Sequence, residues 1–94
     1  MALKTTSKTV TTAGTQVPLS ATALIVSAYS IRAKGTNTGN VYLGDSNVDN
    51  TAHPIPALSG IDWEGQPNER ENLAVIYVDA DVSGEGVDIM YIPD

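Results

Sequence analysis

Cysteine is absent from the 94-residue chain, which excludes a disulfide framework, thiolate metal sites and a thiol nucleophile. Phenylalanine is absent too, and aromatic residues make up only 5% of the chain, so a core has to be built from Val, Ile, Leu and Ala. A single histidine, His53, removes any two-histidine zinc site and leaves one imidazole for acid–base work. No apolar run approaches the length of a membrane span; Ala23 to Val26 is a typical short one. Met1 to Val10 carries lysines but no apolar stretch, so no signal peptide is expected. Phosphate-cradling glycine loops are missing as well, since neither G-x-x-x-x-G-K-[ST] nor G-x-G-x-x-G occurs. What remains is a balance of 41% hydrophobic and 17% charged residues, which suits one globular domain rather than a disordered chain.

Charge is unevenly placed. Lys4, Lys8, Arg32 and Lys34 are the only charged residues before Val41, giving +4, and all 11 acids follow with Arg70 alone against them, giving −10. The net charge of −6 argues against a nucleic-acid partner held by phosphate contacts, and the split favours a basic segment steered onto an acidic surface.

Alternation and turn residues specify strands. Met1 to Ser7 is polar and has no hydrophobic face, so residues 1–7 are expected as an arm and 8–94 as the domain. Strands are predicted over Lys8–Thr12, Gln16–Leu19, Ala23–Lys34, Val41–Gly44, Ile61–Glu64, Leu73–Val78 and Val87–Ile92, with a short edge segment at Ile55–Leu58. In the third of these, Ile25, Ser27, Tyr29, Ile31 and Ala33 are assigned to the core face. Gly35–Asn40 holds two glycines and two asparagines and predicts a hairpin joining that strand to Val41–Gly44. The fold class expected is all-β: an antiparallel sandwich, jelly-roll-like, or a small barrel, with an extended N-terminal arm.

Candidate chemistry is sparse. Asp45, Asn47 and Asp49 have the spacing that opens a calcium loop, but the sixth and twelfth positions are Asn50 and Pro56 rather than Gly and Glu. Asp79, Asp81 and Glu85 form a second oxygen-rich loop. His53, next to Pro54, has no G-x-S-x-G partner motif. Trp63 is either a core or subunit-interface position or a platform for a sugar face. No catalytic site, cofactor or metal follows, and the reading is non-enzymatic.

Two segments carry a resemblance. Thr36-Asn37-Thr38-Gly39-Asn40-Val41-Tyr42-Leu43-Gly44-Asp45-Ser46-Asn47-Val48 resembles the N-T-G-x-V-Y-V-G-x-S-x-V segment of small tailed-bacteriophage virion proteins of the head decoration (cement) type. Ile76 to Val87 is similar to their later I-Y-V-D-A-D-x-x-G-D-G-V segment. Leu58-Ser59-Gly60-Ile61-Asp62 departs from the group's L-x-P-G-E-S turn by lacking its proline and glutamate. The resemblance implies a capsid decoration protein on the outer surface of the virion head, bound to the major capsid protein and bridging its subunits. It also implies a homo-oligomer, a trimer; the net charge and the short apolar runs leave no nucleic-acid or membrane partner expected. The residues expected to meet the capsid are Lys4, Lys8, Thr9, Thr11, Arg32 and Lys34. The alternative is a carbohydrate-binding or host-attachment module of a tail or head fibre, resting on Trp63 and the two acidic loops.

Overall fold

A computed structural model describes Leu3–Asp94. Among these described residues eight strands occur in chain order: β1 (Lys4–Thr9), β2 (Val17–Pro18), β3 (Ile25–Ala33), β4 (Val41–Gly44), β5 (Gly60–Glu64), β6 (Glu71–Asn72), β7 (Tyr77–Ala80) and β8 (Gly86–Pro93). All pair antiparallel, in two sheets. The larger has the order β1-β8-β3-β5, with β6 also paired to β3; the smaller has the order β2-β7-β4. The all-β sandwich read from the sequence is the architecture found. No helix among the described residues is long and apolar enough to cross a membrane.

The core lies between the sheets. Val26, Ile31 and Ala33 of β3, Val87 and Ile89 of β8, and Val41, Val78 and Ala80 of the smaller sheet are buried there with Val10, Leu19 and Leu73. Each buried Val, Leu or Ile side chain contributes roughly 1.5–3 kcal/mol by leaving water. This compensates for the missing phenylalanine with many small contacts rather than a few large ones. Pro18 sits in β2, an edge strand, where its missing N–H costs the sheet nothing.

Four local features depart from the sequence reading. Residues 4–7 are not free of the body: Lys4 to Thr9 pair in unbroken register with Tyr91 to Gly86, so the expected arm is the edge strand β1, while Met1 and Ala2 lie outside the described residues. In β3 the register shifts between Val26 and Ala28. One extra residue there exchanges the faces, burying Val26 and leaving Ile25 exposed, the reverse of the alternation assigned to that end. The β3–β4 hairpin does not form, because β4 pairs β7 in the other sheet. Finally, the apolar run from Leu73 opens with a 3-10 turn over Leu73–Val75, capped by the Asn72 side chain accepting from the Ala74 N–H, and extends as a strand only from Tyr77.

The link from β3 to β4 is held by tertiary bonds. Asn37 is buried; its side-chain amide donates to the Gly86 carbonyl at 2.8 Å and its carbonyl accepts the Gly86 N–H at 3.3 Å. The side chain thus pairs with β8 as another strand would, and it carries the chain across to the smaller sheet. A Cβ on Gly86 would collide with the Lys8 carbonyl oxygen, so β1 approaches as closely as it does because this residue is glycine.

Candidate interaction surface

The six residues expected to meet a partner are divided between the two faces of the larger sheet. Lys4 and Lys8 lie opposite Tyr91 and Val87 of β8 and share the inward face, where the narrower second sheet leaves Lys4 exposed and Lys8 half-buried. Thr9 lies opposite Gly86 on the other face, and Thr11 is exposed in the turn that follows. Arg32 and Lys34 belong to the outward face and are each near a carboxylate: Arg32–Asp62 at 3.8 Å and Lys34–Asp88 at 3.9 Å. The fold therefore does not gather the four cations into one basic patch. Among the described residues Lys4 and Lys8 have no carboxylate within salt-bridge distance, and they stand four residues apart on a strand whose far edge is unpaired.

The acidic loops are engaged with the protein's own amides. Glu85 accepts from the Gly39 N–H at 2.9 Å, and from the N–H and hydroxyl of Thr38 at 2.6 and 3.0 Å. The bonds from the Gly39 and Thr38 amides hold its carboxyl below the usual glutamate range. The Tyr42 hydroxyl donates to Asp81, which also accepts from the Asn40 N–H; desolvation and then this bond push the phenol up. Asp79, 1% exposed, accepts from the Gly14 and Ala80 N–H groups at 3.0 and 2.8 Å. Glu85 and Asp81 thus hold the Thr38–Asn40 loop and Asp79 holds Gly14 and Ala80, and among the described residues no group of three or more His, Asp or Glu converges as a metal site would require.

Asp45 and Asp49 likewise close local turns, on the Asn47 N–H and on the Thr51 N–H and hydroxyl. The Thr51 side chain and then its amide draw the Asp49 carboxyl below its ordinary value. His53 is exposed in a loop with φ 59°. Trp63 is half-buried and stacks on Tyr29 across β3 and β5, with ring centroids 5.6 Å apart and planes inclined by 26°, so one of its faces is already covered. Burial, and then Glu71, push the Tyr29 phenol up.

Two exposed apolar residues were not among the candidates read from the sequence. Leu58 is 73% exposed at φ 72°, and Met90 is 46% exposed in the middle of the larger sheet. Met90 was legible as the outward member of the Val87–Ile92 alternation; Leu58 had no local signal, since its exposure follows from a left-handed turn. No protein-family model matches the chain, and no curated protein or solved structure matches it.

Proposed function

We propose that the protein is a structural virion component, a capsid decoration protein that binds the outer surface of a phage head through the major capsid protein and stabilises it by bridging neighbouring subunits. The observation that carries this reading is β1: an exposed edge strand with no proline, bearing two cations without carboxylate partners, on a body whose loops are fixed by internal hydrogen bonds. Such an edge can add an extended segment of a partner by main-chain pairing, with Lys4 and Lys8 selecting acidic side chains opposite them. The net charge of −6 limits non-specific clumping of free copies. The segments resembling phage virion proteins point the same way. The protein works by adhesion, with no catalytic step.

The test is binding of the Lys4→Glu/Lys8→Glu variant to undecorated expanded heads. Lys4 is exposed and Lys8 half-buried, with no carboxylate partner among the described residues, so the fold should persist, which a thermal melt checks, while affinity drops by tenfold or more at low salt, with the gap narrowing as salt is added. Equal affinity of variant and parent would reject the β1 contact. A glycan array separates the fibre-module alternative: the decoration reading predicts no bound glycan, with or without calcium.

A further inference from the structure

The outward face of the larger sheet carries two hollows and an apolar knob. At one end, between β1, β8, β3 and β5, lies a groove of about 440 Å³ lined by Leu3, Ala28, Met90 and Ile92, with Asp62 and Glu64 along its β5 side. At the other end, a second hollow of about 340 Å³ is walled by Leu58. The two share Ser30 and Met90, which are register partners on β3 and β8. Leu58 is fixed there by its N–H donating to the Ala33 carbonyl at 3.1 Å. Its side chain rests against Gly35, where a Cβ would strike Leu58 Cδ2, and still stands 73% exposed. A leucine held in the left-handed region is strained, and here the strain presents an apolar knob.

Charge says what fits this face. The molecule carries −6, so its copies repel over most of their surface. Here, however, Arg32 and Lys34, beside Asp62 and Asp88, share the face with Glu64 for a local balance of −1. Both signs are present on one patch, as a two-fold contact needs, because each residue must find its complement on an identical surface. A two-fold axis lying in the contact plane, perpendicular to the strands and passing the Ser30–Met90 pair, exchanges the two ends. It sets Leu58 of each copy towards the groove of the other and Arg32 level with Glu64 of its mate. Facing sheets about 10 Å apart leave room for a leucine side chain between them.

We propose that this face is a homodimer interface, with each copy's Leu58 seated in the other's Leu3–Ala28–Met90–Ile92 groove. The assembly closes with two copies, where the phage resemblance implies three, and it stands independently of the capsid-binding reading. Light scattering of the full chain over rising concentration is expected to reach twice the 9.9 kDa of one chain. Leu58→Asn should weaken the dimer by about tenfold or more, by removing buried apolar area. It should keep or raise the melting temperature of the monomer, because asparagine tolerates the left-handed backbone. Met90→Glu should act likewise on the dimer, and Val75→Glu, at an exposed site on the 3-10 turn, should leave it intact. Arg32→Glu should weaken the dimer and Arg32→Glu/Glu64→Arg should restore it. A monomer at every soluble concentration, a trimer mass, or a dimer indifferent to Leu58→Asn overturns the proposal. So does a monomer that loses head binding on Leu58→Asn, which would make the shell the occupant of this face.

Discussion

Glu85, Asn37 and Gly86 meet at the point where the chain crosses between the sheets, and each acts by satisfying backbone groups that the crossing would otherwise leave unpaired. Glu85 has its carboxyl held low by the Gly39 and Thr38 amides. A carboxylate stabilised in the folded state contributes fully above its ordinary value of 4.5, and that contribution is lost as pH falls through the depressed folded value. Thermal melts between pH 7 and pH 3 should therefore show stability falling on the acid side, and Glu85→Gln should flatten part of that fall. An unchanged acid limb in the variant would assign the pH dependence to other carboxylates. Asn37→Ala removes the side-chain acceptor of the buried Gly86 N–H, while the Gly86 carbonyl keeps the Lys34 N–H, and should cost about 1–3 kcal/mol in urea unfolding. Gly86→Ala drives a methyl into the Lys8 carbonyl and should cost about 2 kcal/mol or more. Of these roles, the sequence showed only that Gly35–Asn40 and Asp79–Gly86 are turns. That one loop's asparagine and the other's glutamate hold each other's backbone depends on partners 46 to 49 positions away, beyond the reach of local pattern.

At the scale of the element, β3 and β1 separate what alternation can specify from what it cannot. From Tyr29 to Ala33 the period of two gives the right inward set, as it does for Val87, Ile89 and Tyr91 in β8, because these segments pair without interruption. The irregularity before Ala28 inverts the assignment of Ile25 and Val26, and nothing in the local composition marks it. Val26→Ala should accordingly cost about 2 kcal/mol, whereas Ile25→Ala should stay within about 0.5 kcal/mol; the reverse order would restore the uninterrupted alternation. The polar composition of residues 4–7 suggested an arm because neither face of β1 is covered, yet an edge strand needs only main-chain partners to be held. Deleting residues 1–9 should lower the melting temperature by several degrees, since it uncovers an edge of β8. A free arm would be removed without effect. The candidate surface was half legible for the same reason. Composition revealed the cations, but whether Arg32 and Lys34 share a face with Lys4 and Lys8 depends on strand pairing.

For the molecule as a whole, no two strands consecutive in the chain are hydrogen-bonded neighbours. Every ladder closes a long loop, and folding should be correspondingly slow, on the order of milliseconds to seconds by stopped-flow fluorescence of Trp63. The mature fold then presents distinct surfaces: a basic open edge at β1, a charge-balanced face with an apolar groove, and acidic loops committed to internal bonds. Adhesion is what such a surface can do, and its most direct test is sedimentation of the purified protein with undecorated expanded heads. The account predicts saturable binding at micromolar concentration, with a fixed copy number per head and a rise in the head's resistance to heat. Heads that sediment without the protein, however much is added, would contradict it.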